Sequence, residues 1–190
     1  VMSVGTMALQ VIVNSAGIEY INGYTVATTI FNLLLLPILA TSIGYETFAS
    51  QNIGAKEVMR VKEGYSFLIK EGLGVCIVLT VIDLFFSGTL MSMYSMDVTS
   101  DGYAFAKLYL LLMIPNFFLQ LYKYSIEALL KANLKMNLFA ISSVIALACR
   151  LVFAFLMQPV IGLQAMAWAL LFGSAVSVAY DVYWKRKLAL

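Results

Sequence analysis

Apolar runs long enough to cross a lipid bilayer recur along this chain, and they leave it few ways to fold. A span needs about 20 mostly apolar residues. Six runs meet or approach that length: Val1 to about Ala16, Tyr24 to Ser50, Tyr65 to Leu90, Tyr103 to Leu130, Met136 to Met157 and Gly162 to Tyr183. None shows the ten-residue alternation of a membrane barrel, so each reads as a helix. The first run is short and has no signal-peptide layout, and it reads as the end of a helix that is longer in a parent protein. Pro37 and Pro115 fall inside their runs and should kink them. The expected connections are short: Gly17–Gly23, Gln51–Gly64, Met91–Gly102, Lys131–Lys135 and Gln158–Ile161. With no linker among them, residues 1–190 read as a single domain. The expected fold class is an all-α membrane protein, a six-transmembrane-helix bundle.

Composition supports this. Of 190 residues, 62% are hydrophobic and 12% charged, with a mean hydropathy of +0.92. Soluble domains carry about 25% charged residues, so the excess apolar surface needs a lipid neighbour. A soluble enzyme, a nucleic-acid binder and a disordered tail are excluded as main readings. The net charge of +2 is too balanced to track phosphates, and no nucleic-acid partner is expected. The chain has no histidine, which removes histidine zinc sites, histidine haem ligation and the common histidine-dependent triads. Cys76 and Cys149 sit in apolar runs at no metal-binding spacing, and read as buried inert thiols. HExxH, GxGD and GxSxG sequences are missing. No catalytic residue, metal site or resident cofactor is expected, and the chain reads as a non-enzyme.

Basic residues orient the bundle. Lys56, Arg60, Lys62, Lys131, Lys135, Lys185, Arg186 and Lys187 fall at alternate connections and the C-terminal tail, whereas Lys107 alone lies near the others. The positive-inside rule then places both ends of the chain in the cytoplasm.

Ionisable groups at membrane depth cost roughly 2.5–3.5 kcal/mol each on insertion scales, and they usually face the bundle interior or a wet cavity. Lys123 and Glu127 are four apart on one helix face. They read either as a self-neutralising ion pair or as a site where a transported ion displaces the lysine. Asp83 and Arg150 lie at matching depth, so they could pair or line a cavity. Glu46 is close enough to the Gln51 connection to snorkel to the interface. Lys70 and Glu71 read as interfacial anchors. Gln120 and Asn14 are further pathway candidates, Asn14 as a helix cap or a cavity residue. Trp168 could pack or line a cavity.

The order of several segments adds a family reading. Ala8–Gly17 (ALQVIVNSAG), Ile21–Ala27 (INGYTVA) and Gln51–Lys56 (QNIGAK) come first, followed by the basic Arg60–Gly64 stretch. Arg150, Ala154 and Leu156 then precede Gly162-Leu163. This sequence resembles multidrug and toxic compound extrusion (MATE) transporters over nearly its whole length. The Gln51, Asn52, Gly54 and Ala55 element is the most specific piece, and its role is read as structural. The resemblance implies one lobe of a twelve-helix transporter, whose two lobes are parallel repeats around a central cavity. The ragged start and cytoplasmic ends suggest the C-terminal lobe. The implied partners are a second six-helix lobe, the lipid bilayer and an amphipathic small molecule. The implied location is the bacterial plasma (inner) membrane. Many members carry an arginine–glycine element where this chain has Leu129-Leu130-Lys131-Ala132-Asn133. An acidic residue found in some sodium-coupled members aligns near Leu119, which cannot bind a cation.

The implied function is secondary active efflux of multidrug or organic-cation solutes, by antiport with Na+ or H+ as the transported coupling ion. Alternatives are a flippase for lipid-linked oligosaccharides, which would want a more cationic cavity, and a non-transporting membrane interaction subunit.

Overall fold

The computed structural model describes residues 10, 11, 13, 14 and 17–188. The first expected span therefore lies largely outside the described residues. The rest is helical: α1 (Ile18–Gly54), α2 (Val58–Ser92), α3 (Asp101–Ala132), α4 (Met136–Ile161) and α5 (Ala165–Lys187), with a 3-10 turn at Gly162–Gln164. Among the described residues, four helical stretches are long and apolar enough to cross a membrane, not six. The fourth is Met136–Lys187, in which α4 and α5 join through the turn.

The connections are shorter than expected. Gly17–Gly23 is mostly the first turns of α1, and Gln51–Gly64 contracts to three residues between α1 and α2. Pro159, expected in a connection, sits near the end of α4, and Pro37 and Pro115 lie within α1 and α3. A bundle interior tolerates proline because neighbouring helices and side chains satisfy the freed backbone groups. Three of the helices stop beside a residue with positive φ. Lys56 (φ 63°) follows α1, Leu134 (φ 58°) follows α3, and Gly162 (φ 62°) ends α4. At the α1 end, Asn52 donates its amide to the Phe48 carbonyl at 2.8 Å, and its own carbonyl accepts the Glu57 N–H at 2.8 Å. The Gln51 carbonyl takes the Ala55 N–H at 3.0 Å. This element thus shapes the α1–α2 corner.

The opposite end has its own cap. Ser100 accepts the Tyr103 N–H at 3.2 Å to start α3, with Asp101 in the first turn favouring the helix dipole. Just before it, the Thr99 backbone N–H, and then its hydroxyl, hold the exposed Asp97 carboxyl below the usual carboxylate range.

At 1.5 Å per residue, the 37 residues of α1 extend about 55 Å, past the roughly 30 Å apolar core of a bilayer. Helix α3 is the centre of the bundle: it packs on α1, α2 and α5, while α4 packs chiefly on α5. Close approach needs small residues. A Cβ on Gly23 would collide with the Gly102 carbonyl, and one on Gly102 with the Glu19 carbonyl. A Cβ on Gly173 would press on the Ala146 carbonyl, across the α4–α5 contact. Phe31 and Phe117 stack at 5.4 Å in the same core. Large apolar side chains also cover the outside: Phe67, Ile77, Phe85, Val152 and Leu156 are exposed. Trp168 joins them, being exposed rather than cavity-lining. Many hydroxyls within the helices are satisfied locally. Thr25, Thr29 and Ser42, for example, each donate to the carbonyl four residues back.

Candidate functional site

A polar stripe runs down α3. Gln120, Lys123, Glu127 and Lys131 are spaced by three and four residues, so they share one face over about 16 Å of helix. That face borders a cavity of about 610 Å³ that residues of α1, α4 and α5 also line. Two ion pairs lie at its Lys131 end. Lys123 Nζ is 3.6 Å from Glu127 Oε1, both nearly buried, and Lys131 Nζ is 3.6 Å from Glu46 Oε2, both half-buried. Glu46 therefore turns to α3 rather than reaching only for the interface. Gln120 Nε2 donates to Ser174 Oγ at 3.2 Å, tying α3 to α5. Towards the other end, Arg150 on α4 reaches across to α1 and donates to Tyr24 Oη at 3.5 Å.

Several buried polar atoms lining the cavity have no hydrogen-bond partner: Tyr109 Oη, Gln120 Oε1, Glu127 Oε1, Ser143 Oγ and Arg150 Nε. Native interiors leave few such atoms, because each costs about 1–3 kcal/mol. Five such atoms around one cavity fit a space that receives water, an ion or a solute, and the other five belong to Asp83, Asn116 and Asp181 away from its walls.

The candidates divide as follows. Glu46, Gln120, Lys123, Glu127 and Arg150 come together at the cavity. Asn14 is exposed and accepts from Gln10 Nε2 at 3.2 Å, and it is Gln10 that lines the cavity. Asp83 stands apart. It is buried on α2 with both carboxylate oxygens unpartnered, and it does not pair with Arg150. Matching depth was not enough, because α2 packs on α1 and α3 whereas Arg150 belongs to α4. Leu119 lies outside the cavity lining, and its neighbour Gln120 points in.

Asp181 escaped the sequence reading. It is fully buried on α5, with both oxygens lacking a hydrogen-bond partner. Close by, Ser142 and Ser177 share a hydrogen bond of 2.8 Å between α4 and α5. The signal was available: Asp181 is the one acidic residue in the last span, and such residues mark functional positions by default. Tyr109 gave no comparable signal.

Comparison with known proteins gives this cavity a context. The MatE family model matches residues 1–156. The chain belongs to the MatE family. Together with its apolar helices, that membership makes it an integral membrane protein. Its fold resembles a crystal structure of a MATE point mutant, with a TM-score of 0.87 at 15% identity, covering 97% of this chain and 41% of that one. A MATE in the straight conformation matches with a TM-score of 0.80 at 16% identity, over 96% of this chain and 40% of that one. A MOP superfamily transporter from Pyrococcus furiosus matches with a TM-score of 0.81 at 16% identity, over 96% and 40%. Its description states that reverse polarity of the binding pocket suggests a different function. Comparison with curated proteins found no match. These structural likenesses establish the fold, one lobe of a MATE transporter. The chain spans about two fifths of the length of the solved structures it matches.

Proposed function

We propose that this chain is one lobe of an ion-coupled secondary transporter that moves amphipathic organic solutes out of the cell by alternating access. The observation that carries this reading is the charged, incompletely satisfied cavity inside a largely apolar bundle. A second lobe would close the cavity, and the basic connections between α1 and α2 and between α3 and α4 would face the cytoplasm. The membrane would be the bacterial plasma membrane. No catalytic chemistry is part of the proposal.

Coupling would centre on Glu127. A nearly buried carboxylate is costly unless a cation or a proton neutralises it, and Lys123 holds that place at Glu127 until an ion or a proton takes it. An ion bound there shifts the access equilibrium only through unequal affinity for the two states. By linkage, solute binding changes ion affinity by the same factor. A cationic solute could use Glu46 or Glu127 by displacing Lys131 or Lys123.

The test is transport by the full-length protein in liposomes under an imposed Na+ or H+ gradient. A fluorescent organic cation should accumulate on the side from which the driving ion enters, and accumulation should stop when the gradient is collapsed. Accumulation that ignores both gradients would remove ion-coupled antiport.

A further inference from the structure

The cavity has two chemically different ends. At one, each carboxylate already has a lysine: Glu127 with Lys123, and Glu46 with Lys131. At the other, donors gather without an acceptor. Among the described residues that line the cavity, Arg150 is the cation with no carboxylate within ion-pair distance. Its one recorded side-chain hydrogen bond is the long one to the Tyr24 hydroxyl, and its Nε–H has no partner. Tyr109, 1% exposed, points a hydroxyl with no partner into the same region. The Tyr24 and Tyr109 rings meet edge to face at 5.6 Å, and Tyr24, Tyr109 and Arg150 line the same cavity. A guanidinium has five N–H donors, no acceptor, and keeps its charge at any physiological pH. An unneutralised one in a partly desolvated cavity attracts a planar or tetrahedral oxyanion.

We infer that Arg150, Tyr109 and Tyr24 form a subsite for an anionic group of the solute, a carboxylate or a phosphate, at the end of the cavity remote from Lys131. Arg150 supplies Nε–H and an Nη–H to two oxygens of the anion. Tyr109 donates its hydroxyl hydrogen, and Tyr24 rotates its hydroxyl to join. The two lysine–carboxylate pairs stay intact when a purely anionic solute binds. The site therefore takes anions, and it takes zwitterions whose cationic part displaces Lys123 from Glu127. This inference rests on the transport reading but concerns the polarity of the solute, which a transporter of cations alone would not share.

The experiment uses the full-length protein in a neutral detergent and three probes with the same tail: decanoate, decyl phosphate and decyltrimethylammonium. Binding is followed by calorimetry, with a melting temperature recorded for every variant. Both anionic probes should bind the wild type more tightly than the ammonium probe. Arg150→Gln should weaken both by about tenfold or more, the scale of a lost charge-assisted bidentate contact, and leave the ammonium probe unchanged or tighter. Tyr109→Phe should weaken the anions by a smaller factor, and Arg150→Lys should retain part of their binding. Decanoate and decyl phosphate distinguish a carboxylate site from a phosphate site by which one loses more. The subsite is refuted if wild type shows no preference for the anions, or if Arg150→Gln leaves their affinity intact. It is also refuted if Arg150→Lys and Tyr109→Phe, at wild-type melting temperature, weaken the anionic and ammonium probes alike, since that places these residues in packing. Gradient-driven transport of an organic cation that persists through any of those results would leave the transport proposal standing and sink the subsite alone.

Discussion

Replacing Gly102 by valine should abolish folded protein, and Gly102→Ala should lower the melting temperature sharply. Helices α1 and α3 cross so closely here that the Gly23 and Gly102 backbones are each other's neighbours. The atom a new Cβ would meet is a carbonyl oxygen of the facing helix, not the end of a movable side chain. Overpacking a core costs about 1–3 kcal/mol when side chains can yield. Here the helices themselves must separate, which disturbs the most extensive helix–helix contact in the bundle. In lipid, helix association depends on such close packing, because apolar burial between helices gains little over contact with lipid tails. Gly74 supplies the control. It is also helical, but a Cβ there meets nothing within 4 Å. Gly74→Ala should leave stability unchanged or raise it by about 0.5–1 kcal/mol through helix propensity. Thermal unfolding of the three variants in detergent checks this, and equal melting temperatures for Gly102→Ala and Gly74→Ala would contradict the crossing.

The second large effect is expected at Glu127. Glu127→Gln keeps the shape but loses the charge that an ion or proton would neutralise. Coupling energies between sites are typically about 1–3 kcal/mol, or 5–150-fold in affinity. Gradient-driven transport should fall within that range while binding of an uncharged solute persists. Lys123 would then be left as a nearly buried cation without its partner, so the variant should also lose stability. Removing one member of a fully buried pair costs about 3–5 kcal/mol, and the cavity beside this pair should make the loss smaller. The double variant Lys123→Gln with Glu127→Gln separates the two effects: stability should return and coupling should not. Transport and melting temperature are measured on the same preparations. A double variant that responds to the gradient as wild type does would take Glu127 out of the coupling.

Membrane residence and helical class were readable because long apolar runs allow little else. The α3 stripe was readable too, since a three-and-four spacing fixes which residues share a face whatever the neighbours are. What spacing could not give was the identity of the neighbours. Asp83 and Arg150 share a depth, but depth does not say that α2 and α4 lie on different sides of the bundle. Glycine and proline also misled. Gly17–Gly23 and Gln158–Ile161 look like turns by the rules of soluble chains, yet they are largely helical here. Gly23 and Gly102 serve close packing, a need that appears only once two helices face each other. The Arg150–Tyr24–Tyr109 cluster draws on α4, α1 and α3, and no local pattern joins them.

The account stands on costly polar groups being turned inward to an aqueous path while apolar ones meet lipid. The direct measurement is thiol labelling in membranes of the full-length protein, with Cys76 and Cys149 first replaced by alanine. Asn32→Cys and Ser143→Cys lie on the cavity wall, whereas Phe85→Cys and Val152→Cys lie on the exposed apolar exterior. A charged, water-soluble methanethiosulfonate reagent should modify the first two quickly and spare the second two. Rapid labelling of Phe85→Cys and Val152→Cys, with Asn32→Cys and Ser143→Cys protected, would contradict the account.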